Sequence, residues 1–304
     1  MVIVIILDGG TGRHLESLGA PFNQPEWSAL ALMQKPEFVL KAHNDFIEAG
    51  ADIITTNSYA VVPFHIGAQR FQKNGPDLLQ KSGKLALEAK KGASKNVRIA
   101  ASIPPMFGSY LPERFNPDLA PKMLAVFKDN LLPFCDLVLA ETMASLEEVK
   151  AFIRFFCDSE KPIWVSITLE DDTYERRSPH LRSGEALEKI LEYIEDKKPE
   201  AILFNCSQPE VMEPAILLAK KLTTVRFIGV YANAFPPQQS GLDNANKEIS
   251  RLRVNLTPIR YREFATRWMN AGATVIGGCC GIGPDHIKAL YELKMHFKSQ
   301  KRSL

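Results

Sequence analysis

Short apolar runs alternate along the chain with longer segments in which apolar residues recur at the spacing of one helix face. The runs are apolar on both faces, which is typical of strands in a parallel sheet that helices cover. The pattern predicts strands at 2–7, 51–56, 97–102, 136–141, 162–168, 201–205, 226–231 and 274–278. It predicts helices at 36–50, 77–92, 118–132, 145–158, 183–197, 208–222, 258–271 and 284–298.

Eight strand-helix units in a chain of 304 residues favour a single-domain α/β fold, a closed (β/α)8 TIM barrel over 1–304 with a short basic C-terminal tail. A doubly wound sheet is the alternative. The long connections all follow strands, at 57–75, 103–117, 169–182 and 232–257, whereas the returns from helix to strand are short. This asymmetry predicts a functional site at the carboxyl ends of the strands.

Composition excludes several classes of partner. The 37 basic and 35 acidic residues give a net charge of +2, which predicts no nucleic-acid partner. No stretch approaches the ~18 apolar residues of a membrane span, and the opening "MVIVIIL" lacks the features of a signal peptide. Five cysteines in a chain of this length predict free thiols and a cytoplasmic setting. A small-molecule partner is therefore expected.

Cysteines follow two of the predicted strands. Cys206 comes directly after strand six in "FNCSQPE", and Cys279 and Cys280 come directly after strand eight in "IGGCCGIG". Because strand ends of a barrel face one mouth, the three thiols are expected to converge. Three thiolates favour zinc, and three protein ligands leave a fourth tetrahedral position open. The pattern therefore predicts a catalytic rather than a structural zinc site.

Two other interpretations of the cysteine pair stay open at this point. Cys279 and Cys280 could form a strained vicinal disulfide, or the glycines around them could hold a phosphate at the eighth strand of a barrel. His286 could supply a fourth ligand, but its place in a first helical turn predicts that it points elsewhere. Cys135 and Cys157 lie among apolar residues and are expected to be core residues.

Polar residues follow other predicted strands. Asp8 opens "DGGTG" after strand one, Thr55 and Thr56 end strand two, and Glu141 ends strand four. Each acidic residue also has a purely structural interpretation, Asp8 as the cap of a glycine turn and Glu141 as a charge near a helix start. The segment "DGGTG" does not match a dinucleotide-binding loop, because the glycine spacing differs and no following helix is predicted.

These segments together resemble the homocysteine S-methyltransferase family. The resemblance covers nearly the whole chain and is carried by "DGGTG", "AGADIITTNSY", "LAETMASLEEVKA", "WVSITLED" with "LRSGEAL", "FNCSQPE" and "IGGCCGIGPDHI". The last two segments are highly specific as a pair. The resemblance implies an enzyme that transfers a methyl group to the thiol of L-homocysteine and gives methionine.

The same resemblance implies a role for each residue of the site. The implied ligands of Zn2+ are Cys206, Cys279 and Cys280. The residues implied to contact homocysteine are Asp8, Gly9, Gly10, Thr56 and Glu141. Of these, Asp8 and Glu141 are implied to bind its amino group. The alternatives from other classes are a zinc- or thiol-binding barrel without turnover and a barrel enzyme with a phosphate site after strand eight.

Two loops depart from the family pattern. After strand seven the family usually has Tyr-Pro-Asn, where this chain has Tyr231-Ala232-Asn233, and after strand three it tends to have Gly-Pro, where this chain has Pro104-Pro105. Both loops are expected to border the methyl donor.

The expected donor is a small sulfonium. S-methylmethionine is favoured over S-adenosylmethionine and betaine. A carrier-bound methyl group is not expected, because the chain ends soon after strand eight and so leaves no room for folate- and cobalamin-binding domains. Aromatic residues in the long loops, Phe107, Tyr110 and Phe235, are candidates to meet the donor's positive charge through their ring faces.

Overall fold

The computed structural model describes residues 4–171, 178–238 and 249–300, with side chains up to residue 297. Its eight strands pair in parallel in the order β1-β8-β7-β6-β5-β4-β3-β2. The strands are β1 (Ile5–Ile6), β2 (Ile53–Thr55), β3 (Arg98–Ile103), β4 (Leu137–Met143), β5 (Ile163–Ile167), β6 (Ala201–Asn205), β7 (Phe227–Ala232) and β8 (Val275–Gly278). All eight predicted strands are therefore present, although the first is shorter than predicted and residues 2–3 lie outside the described part.

The sheet closes into a ring. An isolated parallel bridge between Leu7 and Ile53 joins β1 to β2, the two ends of the strand order. Two backbone hydrogen bonds support it, from Asp8 N to Ile53 O at 3.0 Å and from Asp52 N to Ile6 O at 2.7 Å. The predicted (β/α)8 barrel is thus confirmed, and the doubly wound alternative is wrong.

Helices cover the outside of the barrel. They are α1 (Thr11–Ser17), α2 (Ser28–Gln34), α3 (Pro36–Glu48), α4 (Pro63–Ile66), α5 (Ala68–Gly92), α6 (Ala120–Leu131), α7 (Leu146–Phe156), α8 (Leu187–Lys197), α9 (Met212–Leu222), α10 (Pro258–Ala271) and α11 (Pro284–Gln300). Local sequence explains several starts: Ser145 and Glu148 form a capping box at α7, and Thr257 caps α10 with Pro258 at its first position.

Three predicted helix boundaries were wrong. Helix α5 begins at Ala68 rather than at 77, and it contains Pro76. An internal proline costs about 3 kcal/mol, and burial of Phe71 on the N-terminal side and Leu78 on the C-terminal side offsets this. Helix α8 begins at Leu187 rather than at 183, and α9 begins at Met212 after a short 3-10 turn.

Three short helices, α1, α2 and α4, were not predicted at all. Helix α1 begins at Thr11, directly after the first glycines, so the expectation that no helix follows "DGGTG" was wrong. A helix of seven residues is too short to show a clear period in sequence, and its stability comes from packing on α2 and α3.

Two apolar layers form the core. The larger one lies between the strands and the helices, and the smaller one fills the barrel with side chains such as Leu137, Leu139 and Leu203. Since side chains alternate along a strand, Glu141 of β4 and Asn205 of β6 continue these inward rows. The barrel is therefore apolar below and polar at the carboxyl ends of its strands.

Membrane insertion has no support in the helices. Within the described ranges, none of them is both long enough and apolar enough to cross a bilayer.

Candidate active site

One cavity lies at the carboxyl ends of the strands, and its wall includes the end of β4 and residues from the loops after β1, β2, β3, β6, β7 and β8. Every residue predicted for the site lines this cavity: Asp8, Gly9, Gly10, Thr56, Glu141, Cys206, Cys279 and Cys280. The tertiary structure thus brings together residues that are far apart in the chain.

Three cysteine sulfurs form a cluster in the wall. The Sγ atoms of Cys206, Cys279 and Cys280 all lie within 4.8 Å of one another, and those of Cys279 and Cys280 are 4.0 Å apart. Cys206 is buried, whereas the other two are partly exposed to the cavity. Among the described residues this is the one group of three or more His, Cys, Asp or Glu side chains arranged to hold a metal ion.

Strand β7 holds the two cysteine loops together, because it lies between β6 and β8 in the ring. Cys206 N donates to Tyr231 O at 3.4 Å, and Cys279 N donates to Ala232 O at 2.9 Å. Two residues beyond the end of β7, Ala234 N donates to Cys280 O at 2.8 Å. The backbone of β7 and of the loop that follows it therefore sets the spacing of the three cysteines.

The three thiols differ in acidity. Hydrogen bonds from the thiols of Cys279 and then Cys280 hold the pKa of Cys206 well below its usual value. Hydrogen bonding with Cys206 in turn raises the pKa of Cys279 and the pKa of Cys280. Mutual hydrogen bonding therefore makes the thiol of Cys206 the most acidic of the three.

Asp8 lies beside this cluster and is almost fully buried, with 1% of its surface exposed. Its Oδ2 accepts a hydrogen bond from Thr55 N at 2.7 Å, and the Thr55 hydroxyl lies 3.1 Å from the same atom. Burial raises the pKa of Asp8 well above its usual value, and the charge of Glu141 adds to this. The two carboxylates therefore act on each other electrostatically across the cavity.

Glu141 is the second buried carboxylate. Its Oε2 accepts a hydrogen bond from the Ser102 hydroxyl. Burial raises the pKa of Glu141 to about 7, although the hydrogen bond from Ser102 opposes the shift. In the part of the chain that the structure describes, neither Glu141 nor Asp8 forms an ion pair. The site thus has two acidic groups and an open place for a cation.

Asn205 holds the strand that carries Glu141. Its Oδ1 accepts hydrogen bonds from Thr142 N at 3.0 Å and from the Ser166 hydroxyl at 2.7 Å, and its Nδ2 donates to Thr142 Oγ1 at 2.9 Å. Thr142 has a left-handed backbone, with φ of 60°, at an irregular point of β4. Because such a conformation is costly for a β-branched residue, Asn205 has to hold it in place.

Gly9 and Gly10 let the first loop approach the eighth. A Cβ atom on Gly9 would lie 2.2 Å from Ile282 O, and one on Gly10 would lie 2.4 Å from Cys279 O. Thr56 lies nearby, and its hydroxyl accepts a hydrogen bond from Ser102 N at 3.0 Å. These residues line the cavity, and they also hold its wall together.

The structure decides between the interpretations of the eighth-strand loop. The 4.0 Å between the sulfurs of Cys279 and Cys280 is far longer than a disulfide bond of about 2 Å. The amides of Gly278, Cys279 and Ile282 donate to the carbonyls of Asp8, Ala232 and Cys279, so they are not free to hold a phosphate. The cysteine pair is therefore not a disulfide in this structure, and these three amides are not available to a phosphate.

Three other candidates lie outside the cluster. His286 points elsewhere, as predicted, since its Nε2 lies 2.9 Å from Leu256 O. Cys135 is buried, as predicted, and its Sγ donates to a helix carbonyl. Cys157 was expected among apolar residues, but it is exposed at the end of α7, where a helix terminus meets solvent.

The outer wall of the cavity is aromatic. The rings that line it belong to Phe22, Trp27, Tyr59, Tyr110, Tyr231 and Phe235. Phe107 is not among them, because it packs edge-on against Phe115 at 5.9 Å. Pro104 and Pro105 line a separate small cavity beside Glu148. After β7, Tyr231 lines the main cavity, but Ala232, the position that departs from the family pattern, does not.

Sequence reasoning missed several residues of this wall. Asn205 and Ser102 follow the inward alternation of their strands, and that period could have identified them. Arg13 is the only Lys, Arg or His side chain on the wall among the described residues, and it had no sequence signal because it lies on the unpredicted helix α1.

Comparison with known proteins agrees with this geometry. Residues 5–293 match the family model described as homocysteine S-methyltransferase. The chain is 30% identical to homocysteine S-methyltransferase 1 of Arabidopsis thaliana, over 94% of this chain and 91% of the relative. It is also 30% identical to homocysteine S-methyltransferase 1 of Zea mays, over 95% of this chain and 93% of the relative.

A solved structure shares the fold. The metallated form of the homocysteine methyltransferase MmuM from Escherichia coli superposes with a TM-score of 0.77 and 24% identity, over 96% of each chain.

Proposed function

The chain belongs to the homocysteine S-methyltransferase family and is an enzyme of methyl transfer to homocysteine. On that premise we propose that it uses zinc and a small sulfonium donor, S-methylmethionine before S-adenosylmethionine, with the quaternary ammonium compound betaine as a less favoured donor. The observation that carries this proposal is the cluster of three cysteine sulfurs in one cavity with two buried carboxylates that lack a cation.

The cysteine cluster fits zinc. Zinc binds thiolates at about 2.3 Å, so three sulfurs at the corners of a tetrahedron lie about 3.8 Å apart. The sulfurs of Cys206, Cys279 and Cys280 lie within 4.8 Å of one another and need to close by only a fraction of that distance. Three soft anionic ligands select zinc over hard cations. The metallated form of MmuM supports a metal in this fold.

Zinc held by Cys206, Cys279 and Cys280 would supply the Lewis acidity that keeps the homocysteine sulfur a thiolate near neutral pH. The protein supplies the rest. The neighbouring thiols of Cys279 and Cys280 lower the pKa of Cys206, which favours the thiolate form that a metal ligand needs.

The polar wall fits the two charged ends of an amino acid. Asp8 and Glu141 would bind the ammonium group, which offsets the cost of burying two carboxylates. Arg13, which also lines the cavity, would bind the carboxylate of homocysteine. Its present partner is Glu16, at 2.8 Å, and an ion pair of this kind is weak enough to be exchanged. These contacts fix the sulfur in position for attack.

The aromatic wall fits a cationic donor. The homocysteine thiolate attacks the methyl carbon, the new S–CH3 bond forms as the donor S–CH3 bond breaks, and the donor sulfur leaves with the bonding pair as a neutral thioether. The thiol proton passes to solvent. Because opposite charges cancel in the transition state, exclusion of water favours the reaction. The rings of Trp27 and Phe235 would face the sulfonium.

The test is a comparison of donors with purified, zinc-loaded protein. L-homocysteine deuterated on its carbon chain would be incubated with S-methylmethionine, S-adenosylmethionine, betaine or methyltetrahydrofolate, so that mass spectrometry separates the methionine formed from homocysteine from the methionine that demethylated S-methylmethionine leaves. The fastest transfer is expected from S-methylmethionine, with loss of activity on chelation and recovery with zinc. A preference for methyltetrahydrofolate would overturn the donor class, and full activity after removal of all metal would overturn the zinc proposal.

A further inference from the structure

Cys206 has an unusual backbone. Its φ of 51° lies in the left-handed region, which residues with a side chain rarely adopt. The residue directly follows β6, so this conformation sets the direction in which its thiol leaves the strand. Something in the surroundings must hold Cys206 in a conformation that its own sequence disfavours.

The carbonyl of Cys206 is held from three sides. The Tyr110 hydroxyl donates to it at 2.9 Å, the Thr168 hydroxyl at 3.3 Å and Arg182 Nη2 at 3.4 Å. The donors come from the loops after β3 and β5, so the peptide that follows Cys206 cannot rotate without the loss of contacts to two other parts of the barrel.

Arg182 links these donors. Its side chain is fully buried, its guanidinium lies 4.3 Å from the centre of the Tyr110 ring, and its Nε donates to Thr168 Oγ1 at 3.2 Å. The guanidinium therefore positions the other two donors as well as contacting the carbonyl itself.

Asp171 holds Arg182 in turn. Its Oδ2 lies 3.0 Å from Arg182 Nη2, and both side chains are excluded from solvent. The carboxylate also accepts hydrogen bonds from Gln208 N at 2.7 Å and from Gln238 N at 2.8 Å, while Arg182 Nη1 donates to Gln238 O at 2.6 Å. One ion pair thus joins the loops after β5, β6 and β7.

A buried ion pair is weak evidence for stability, because desolvation cancels much of the attraction between its charges. The burial of Arg182 and Asp171 is better explained by their effect on geometry, because the contacts of Arg182 converge on the carbonyl of Cys206. We propose that Arg182, held by Asp171, is a positioning residue that fixes Cys206 in its left-handed conformation and aims its sulfur at Cys279 and Cys280 before a metal binds. The inference rests on the proposed metal centre and names the residues that organise it.

The experiment measures zinc affinity rather than activity. Purified wild-type protein and the variants Arg182→Met and Tyr110→Phe would compete with a chromophoric chelator for zinc at fixed pH. Loss of partners outside the metal's own ligands typically weakens binding by about 10–100-fold, and this is expected for Arg182→Met. A smaller loss of about 3–10-fold is expected for Tyr110→Phe, which removes one hydroxyl donor and keeps the ring. Arg182→Lys should recover only part of the affinity, because an ammonium lacks the planar fork.

Arg253→Met is the matched control. Arg253 makes a two-pronged pair with Glu210 at 2.9 and 2.7 Å between the same β6 and β7 loops, but it has no contact with Cys206 in the described structure. The zinc affinity of the Arg253→Met variant should stay within about twofold of the wild-type affinity.

Thermal unfolding of the metal-free proteins separates positioning from a purely structural role. If Arg182→Met lowers the unfolding temperature but leaves zinc affinity unchanged, the proposal is overturned. If that variant does not fold, Tyr110→Phe decides, and unchanged affinity there also overturns it. A wild-type protein that bound no zinc would instead overturn the metal centre, and the positioning role with it.

Discussion

The two ends of the barrel both place acidic residues beside strands, and they treat them in opposite ways. At the amino-terminal end, Asp52 precedes β2 and Asp136 precedes β4, and each accepts a hydrogen bond from a strand backbone. Each also has a lysine partner, with Asp52 Oδ2 2.6 Å from Lys294 Nζ and Asp136 Oδ2 2.7 Å from Lys90 Nζ. The charges at this end are neutralised within the protein.

At the carboxyl-terminal end, Asp8 and Glu141 accept hydrogen bonds but form no ion pair with any residue that the structure describes. Burial raises the pKa of both. The same end concentrates strained backbone, since Tyr110, Thr142 and Cys206 all have positive φ. A carboxylate paired inside the protein serves stability, whereas Asp8 and Glu141, which have no ion-pair partner among the described residues, would bind the substrate's ammonium group if the proposed function is correct.

Removal of a cysteine should produce the largest effect at the mouth. In Cys206→Ala only two sulfur ligands remain, so zinc retention and methyl transfer should each fall by more than about 100-fold. This loss is larger than the one expected when a residue that only contacts a metal ligand is replaced. Metal analysis after dialysis and a rate measurement check this. Cys157→Ala is the control, because Cys157 is exposed and remote from the cluster. Full zinc content in Cys206→Ala would contradict the assignment.

Glu141→Gln tests the unpaired carboxylate. Homocysteine should bind about 10–100-fold more weakly, because a hydrogen bond to a charged group becomes a neutral one, while zinc stays bound. Titration with homocysteine and with 4-sulfanylbutanoic acid, which lacks the amino group, checks the cause. The substitution should hardly change binding of the analogue, and an equal loss for both ligands would argue against an ammonium site.

Asp52→Asn should show the opposite pattern from substitutions at the mouth. Lys294 is almost buried, so loss of its partner should lower the free energy of unfolding by about 2–3 kcal/mol, less than for a fully buried pair because Asp52 is partly exposed. The Michaelis constant for homocysteine should not change. Asp8→Asn should raise that constant without a comparable loss of stability. The distinction between the two ends would collapse if chemical denaturation and kinetics gave the same result for both variants.

His43 tests whether a buried polar side chain without a hydrogen-bond partner is by itself evidence of a functional role. It is fully buried on α3, neither ring nitrogen has a hydrogen-bond partner among the described residues, and burial lowers its pKa to about 4. It lies outside the mouth, so His43→Leu should leave kinetics unchanged and should stabilise the protein. A loss of activity with intact folding would give His43 a role that its position does not predict.

The sign of the pH effect follows from the lowered pKa of His43. The unfolded imidazole binds a proton below about pH 6.5, whereas the folded one does so only near 4, so wild-type stability is lost as pH falls between these values. By pH 5 this loss amounts to about 2 kcal/mol, and His43→Leu should escape it. Thermal unfolding of both proteins from pH 8 to pH 5 measures the difference.

The sequence by itself determined the barrel, its mouth, and the cysteines and acidic residues that lie there. Eight apolar runs separated by helical periods define the order of the strands, and parallel strands place their carboxyl ends together. Cys206, Cys279 and Cys280 each follow a strand directly, so their convergence needed no more than this topology. Asp8 and Glu141 were identified for the same reason.

Only the tertiary structure decided features that depend on contacts between distant loops. Helix α1, which carries Arg13, is too short for a visible period, and Pro76 lies within a helix because packing outweighs its local preference. The left-handed backbone of Cys206 and its link to Arg182 and Asp171 arise only when the loops after β5, β6 and β7 meet. Local sequence determines the conformational propensity of each residue. Strained backbone and buried ion pairs are stable only because residues from other loops contact them once the barrel has closed.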